Sequence, residues 1–376
     1  MNILSEIAVI TMGTNEVADV IGVFTTHFNG LLKWSYCTIK NRRLFDLILK
    51  LEKCHVLCQR IDSTKEGSEL YESKIGSARQ HSNFFFLWWL FMCVFTVIQW
   101  CVIPLLLGTY KSYLINDTFT DRDLPYIAWF PLDIQNNFNY IFLYLVQTIG
   151  MLTCAFGIVC YDSFYVSMLI AICTQIQYIN TILAKTDFIE NTRVPEVVFI
   201  LKKKLRNCVD CHVEIIEFLE KLQIFTSPVM FAQCIITLFI ICLVSFEVSA
   251  VKFTLDKENA FALFKLFGYF LAAALQLYFF CFYATQITYL ALQIPHSVYS
   301  CGWEIIIFEE KKESSTKKQF QYSDISRLVQ MITIQAQRPI VLTGGPFYIL
   351  SMETFRAIIS MALSNSIMLR QLSDSG

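Results

Sequence analysis

Two short stretches hold residue types that can do chemistry. Cys208-Val209-Asp210-Cys211-His212 has the spacing by which two thiols and an imidazole attach a c-type haem. Cys54, His55 and Cys58 offer three ligands of the kind that hold zinc, with no fourth in view. The first lies in a segment that charge places away from an oxidising compartment, in a chain with no other haem-binding feature. A histidine that packs a helix is the plainer reading of His212. Lys202-Lys203-Lys204 could draw anionic lipid, and it serves equally as a topology signal. No nucleophile elbow, P-loop or zinc-protease motif occurs, so neither an enzyme nor a cofactor is expected. The fourteen cysteines lie mostly inside apolar runs such as Phe239-Ile240-Ile241-Cys242-Leu243. There they act as small hydrophobes and not as a disulfide framework.

The elements around these residues point to lipid. Hydrophobic residues make up 55% of the 376 and charged ones 16%, against about 25% charge in a soluble domain. A helix needs about 20 apolar residues to cross the hydrocarbon core. Phe84 to Leu107, Phe138 to Tyr161, Leu222 to Phe246 and Leu266 to Trp303 each meet that length without a formal charge. The last is longer than a bilayer is thick, so its helix should project beyond it and end near Pro295. Two further spans are interrupted: Ile3 to Leu32 by Glu6, Glu16 and Asp19, and Pro339 to Leu369 by Gly344-Gly345-Pro346, Glu353 and Arg356. The fold class is therefore all-α, a polytopic bundle of six spans with helical extensions on one side.

Lys and Arg are retained on the cytoplasmic side. Segments 33–83, 181–225 and 304–338 are rich in them, while 108–137 holds only Lys111 and Arg122, and the loop after the fourth span only Lys252 and Lys257. This alternation puts the three basic segments inside and the C-terminus outside. The Asn116-Asp117-Thr118 sequon, with Asn116 as glycan acceptor, falls in a loop assigned to the outside. Net charge near −1 gives no case for nucleic acid.

The C-terminal run from Gln337-Arg338-Pro339 through Gly344-Gly345-Pro346 to Leu350-Ser351-Met352-Glu353-Thr354-Phe355, with a helix ending Met368-Leu369-Arg370-Gln371-Leu372, resembles the signature of the insect odorant receptors. Leu124-Pro125-Tyr126-Ile127-Ala128-Trp129-Phe130-Pro131, Asp162, Cys211-His212 and the approach Ala291 to Trp303 extend the likeness over nearly the whole chain. Asn365 and Ser366 depart from the aromatic pair usual in that family's last helix. The resemblance implies seven helices with a cytosolic N-terminus. It aligns 3–53 with the family's second helix and the segment after it, so the first helix is expected to be missing. It further implies an odorant-tuned subunit of a non-selective cation channel, since the co-receptor's long insertion is missing. Expected partners are the co-receptor, in a heterotetramer, a small volatile ligand and membrane lipid. The expected location is the plasma membrane of an olfactory neuron dendrite.

On this reading residues 1–338 form the ligand-binding bundle and its intracellular contact region, and 339–376 the pore-lining helix and outer C-terminus. Ser351 should cap the last helix, with Glu353 favouring its dipole. Ala357, Met361, Ser364, Met368 and Leu372 share one face, with Gln371 beside them. In the family this helix lines the pore, which makes Met361, Ser364, Met368, Gln371 and Leu372 the candidate pore and gate. Candidate ligand contacts in the outer halves of the spans are Trp100, Tyr140, Tyr144, Gln147, Thr148, Met151, Phe267, Phe270 and Ala274. A G-protein-coupled chemoreceptor would place its C-terminus inside and show Asp/Glu-Arg-Tyr and Asn-Pro-x-x-Tyr motifs. A transporter would show two related halves and several intramembrane charges. The sequence displays neither pattern.

Overall fold

The computed structural model describes residues 14–115, 123–128, 130–184, 194–250, 257–304, 316–346 and 348–375. Asn116 and Trp129 lie outside them. Its helices are α1 (Thr14–Ile39), α2 (Asn41–Gln59), α3 (Lys65–Ile115), α4 (Asn137–Ala184), α5 (Val194–Ala250), α6 (Lys257–Tyr299), α7 (Thr316–Ala336) and α8 (Met352–Ser375). Two short antiparallel strands, β1 (Thr343–Gly344) and β2 (Tyr348–Ile349), precede α8.

Each uncharged stretch found in the sequence is the centre of a much longer helix. Among the described residues four helices are long and apolar enough to cross a membrane: Lys65–Leu106, Asn137–Ala184, Phe199–Val248 and Leu263–Tyr299. At 51 residues α3 would run on the order of 75 Å, more than twice a hydrocarbon core. The surplus length forms the helical extensions. With α2 and α7 it builds a packed basic end in which Tyr71, Tyr178, Phe218, Cys54 and Leu205 are fully buried. Pro295 does not end α6, which runs on to Tyr299. Asn180 of α4 braces this region by donating to the Leu290 carbonyl (2.9 Å) and accepting from Ser297 (3.0 Å), so one lost backbone donor does not break the helix.

At the same end two of the cysteines depart from the unpaired role expected of them, while twelve others are free. Cys58 of α2 and Cys211 of α5 form a disulfide, and both are buried. Two segments unrelated in sequence, 153 residues apart, meet because α2 lies along α5. Among the described residues no group of three or more His, Cys, Asp or Glu is placed to hold a metal ion. His212 packs at 4% exposure, and burial pulls its imidazole down to about 4.

The Gly break before α8 is a built turn. Gly345 takes φ of +70°, a conformation glycine adopts without steric cost, and a methyl group there would meet the Phe231 ring at 2.8 Å. Gln223 holds both the nitrogen and the carbonyl of Thr343, at 2.9 and 2.8 Å. The Tyr348 hydroxyl donates to the carbonyls of Phe231 (3.1 Å) and Met230 (3.3 Å). Ser351 caps α8 as its sequence suggests, accepting from the Thr354 nitrogen at 3.1 Å.

Candidate functional site

At the end of the bundle away from the basic segments, α1, α3, α4, α5 and α6 line a half-open cavity of about 130 Å³. That is close to the roughly 150 Å³ that accepts benzene in an engineered protein core. Its walls are Val23, Thr26, His27 and Asn29 from α1, Trp89, Cys93, Thr96, Val97 and Trp100 from α3, and Met151, Cys154, Ala155 and Ile158 from α4. Ile240 of α5 and Tyr269, Ala272, Ala273 and Gln276 of α6 complete it. A larger hollow of about 460 Å³ between α3 and α4 has Leu152 and Phe156 on its walls, at 44% and 52% exposure. Those exposed apolar side chains make it a groove facing lipid.

Beneath the cavity runs a buried polar chain. Lys33 of α1 and Asp162 of α4 are 2.5 Å apart, and both side chains have no exposure. Asp162 also accepts from Gln276. The Gln276 oxygen accepts from Gln233 of α5 at 2.8 Å, and the Gln233 oxygen accepts from Asn29 at 3.0 Å. Four helices are tied together by one charge pair and three amides. Lys33 also lies over the rings of Tyr161 and Phe280, 5.6 and 5.9 Å from their centroids. These residues read in sequence as topology markers, Lys33 as a cytoplasmic basic residue and Asp162 as a span end. The structure puts both inside the bundle.

Two of the sequence-derived ligand candidates, Trp100 and Met151, line the cavity. Four others fasten the segment 123–126 and the neighbouring helix. Tyr140 donates to the Asp123 carbonyl (3.1 Å), and Gln147 binds both backbone groups of Tyr126 (3.1 and 3.3 Å). Tyr144 donates to the Cys101 carbonyl, and Thr148, which donates to the Tyr144 carbonyl of its own helix (2.8 Å), meets the Cys101 thiol at 3.5 Å. Phe267 points outward at 62% exposure. Phe270 and Ala274 pack against a second apolar cluster containing Ile240 and Ala273 from the cavity wall and Ala362 from α8; Tyr269 and Ile359 also pack there. On α8, Met361 and Met368 are exposed at 52% and 60%, and Ser364 and Gln371 are exposed too. The side chain of Leu372 lies outside the described ones. Reading by composition missed His27, Asn29, Gln233 and Gln276. One signal pointed to two of them: Asn29 and Lys33, and Gln233 and Thr237, recur at spacing four in apolar segments, where polar residues face the bundle interior.

Comparison with known proteins agrees with this architecture. The sequence profile described as 7tm Odorant receptor matches residues 13–363. Odorant receptor 13a of Drosophila melanogaster is 23% identical over 280 residues, 73% of this chain and 63% of that protein. Putative odorant receptor 92a of the same species is 22% identical over 296 residues, covering 78% and 65%. The chain thus spans under two thirds of the length of either relative. The olfactory receptor OR5 of Machilis hrabei, solved in complex with eugenol, superposes with a TM-score of 0.72 at 17% identity, over 96% of this chain and 83% of that one. Its ligand-free structure gives 0.70 at 18% identity. With a profile match across most of its residues and this fold, the chain belongs to the odorant receptor family of insects.

Proposed function

We propose that the chain is an odorant-tuned subunit of a cation channel, assembled with the co-receptor as a tetramer around α8, and opened by a small volatile in the cavity described above. The basic end then lies in the cytosol and the C-terminus outside. The observation that carries this reading is the position of the cavity. Its walls are almost wholly apolar, so a volatile gains roughly 25 cal/mol per Å² of apolar surface it buries there, less its immobilisation cost. Ile240 and Ala273 belong at once to that wall and to the cluster that receives Ile359 and Ala362 of α8. A ligand that fits better when these helices move apart favours the state in which α8 has moved.

The test is whole-cell current in cells co-expressing this chain with an insect co-receptor, under a panel of volatiles. Ala273→Trp fills the cavity from α6. The expected result is at least a tenfold loss of ligand potency with surface delivery unchanged. An unaltered concentration–response curve would refute the cavity as the site of action.

A further inference from the structure

The walls of the cavity are not evenly polar. His27 Nδ1 lies 2.9 Å from the Val23 carbonyl, which can only accept. In the neutral imidazole that nitrogen therefore carries the proton, and Nε2 is left as an acceptor. Nε2 is buried and has no partner. The Asn29 amide oxygen is likewise buried and unpartnered, on a residue 3% exposed.

The direction of the Asn29 amide is imposed from a distance. Asp162, as half of an ion pair with Lys33, only accepts, so Gln276 must turn its NH₂ toward it. The Gln276 oxygen then has to take a proton from Gln233, and the Gln233 oxygen one from Asn29. The amide relay ends with the Asn29 oxygen left over. Reversing any one amide would set two oxygens or two NH₂ groups against each other.

The hydroxyl donors on the same walls are already engaged. The hydroxyls of Thr26 and Tyr269 meet each other and the Gly22 carbonyl (2.9 and 3.1 Å), so both protons are taken up within this trio, and Thr96 donates to the Met92 carbonyl at 2.9 Å. The Cys154 thiol is directed at the Thr26 carbonyl at 3.3 Å. The Trp89 indole N–H is buried and makes no hydrogen bond of good geometry, although it lies close enough to Asp162 to favour its charge. The cavity therefore has two acceptors to spare, while its hydroxyl donors are committed.

Resting on the cavity reading above, we propose that this site selects small molecules that carry a hydroxyl group, alcohols and phenols, over apolar molecules of the same shape. The hydroxyl proton satisfies one orphaned acceptor, and the hydrocarbon body fills the apolar remainder. An ammonium would have to shed its water shell among walls that offer no carboxylate, since Asp162 is occupied by Lys33. By burial alone the order would be reversed, because a methyl group is more hydrophobic than a hydroxyl.

Phenol and toluene, nearly equal in shape, provide the test. Their affinities are measured by calorimetric titration of the full chain in lipid nanodiscs, corrected for uptake by protein-free discs. Phenol should bind on the order of tenfold more tightly than toluene, and Asn29→Leu should abolish or invert that preference. Equal or tighter binding of toluene to the unaltered chain would overturn the hydroxyl rule and leave the cavity standing. A preference that persists in both Asn29→Leu and His27→Phe would also overturn it. Absence of binding by both probes, or binding indifferent to Ala273→Trp, would overturn the cavity reading and this inference together. Should Asn29→Leu fail to fold, the comparison on the unaltered chain still decides.

Discussion

Lys33 and Asp162 show how much a single contact can govern when both partners are without water. Removing one partner leaves a buried charge uncompensated, at a cost of roughly 3–5 kcal/mol, whereas replacing both with apolar residues of similar size can be nearly neutral. Asp162→Ala should therefore reduce folded protein at the surface severely, and Lys33→Met combined with Asp162→Leu should recover most of it. Surface labelling and thermal unfolding in detergent would check this, and a double variant no better than the single one would refute the pair as an energetic unit. At the basic end the charges act through pH. Burial pushes the Glu214 carboxyl up, and ion pairs with Lys50 and Lys53 (both 2.7 Å) override it, leaving it below the usual range. The same holds for Asp62, where Lys204 (2.7 Å) and Thr64 override burial. Both contributions are present above the ordinary carboxylate range and are lost as pH falls through the depressed values. His212 runs through a different window: it stays neutral in the fold down to about 4, while the unfolded chain takes up its proton from about 6.5. Its share of stability is complete above about 6.5 and declines below it, by about 2 kcal/mol at pH 5. His212→Leu should flatten the fall in unfolding temperature between pH 7 and 5. An unchanged slope would assign that fall to other groups.

Among the elements, the crossing of α1 over α4 has the least tolerance. A methyl group at Gly30 would meet Cys154 Sγ at 2.3 Å and the Cys154 carbonyl oxygen at 2.9 Å, and one at Gly157 would meet the Gly30 oxygen at 3.2 Å. Backbone cannot rotate away as a side chain can, so the helices would have to separate. Small residues at such crossings let helices approach closely in a membrane, where packing and not hydrophobicity drives association. Gly30→Ala should cost about 1–3 kcal/mol as overpacking. Gly150, on the same helix α4, has nothing within 4 Å of an added methyl group, so Gly150→Ala should be neutral or mildly stabilising. Thermal unfolding of the two variants side by side checks the contrast. Equal effects would mean that the crossing is looser than the distances indicate. Because this crossing carries Asn29 and Lys33 beside Gly30, a shift here also moves the acceptors at the cavity.

For the molecule as a whole, α8 leaves its broad side away from the bundle uncovered, with Met361 and Met368 along one edge of it, Leu363 and Ile367 along the other, and Ser364 and Gln371 between them. Met361, Leu363, Ile367 and Met368 are 52%, 41%, 61% and 60% exposed, while the other side of the helix packs through Phe355 on Tyr278 and through Ala362 into the second cluster. In the proposed tetramer that free face meets its counterparts around the pore, and the bulky Met368 closes the path by excluding water. Met368→Ala should then raise the odour-free current and lower the ligand concentration needed for half-maximal response. An unaltered resting current with normal surface delivery would remove Met368 from the gate.

Much of this was already present in the amino-acid order. Uncharged runs of 24 and more residues cannot be satisfied in water, so the four long spans come from composition alone. The motifs around Gly344-Gly345-Pro346 and Leu350-Ser351-Met352-Glu353-Thr354-Phe355 marked the family and the start of α8, because a glycine break and a serine cap are local matters of backbone sterics and hydrogen bonding. The cavity was legible only at Trp100 and Met151. Tyr140, Tyr144, Gln147 and Thr148 have the right depth, yet their polar atoms are taken by the segment 123–126 and by the backbone of α3 and α4. Pairing of Cys58 with Cys211, of Lys33 with Asp162, and the relay through Gln276 and Gln233 to Asn29 all join residues more than 40 positions apart. Helical periodicity places a side chain on a face of its own helix. Which face meets which is settled by packing among all the helices, and that is where the cavity acquires its chemistry.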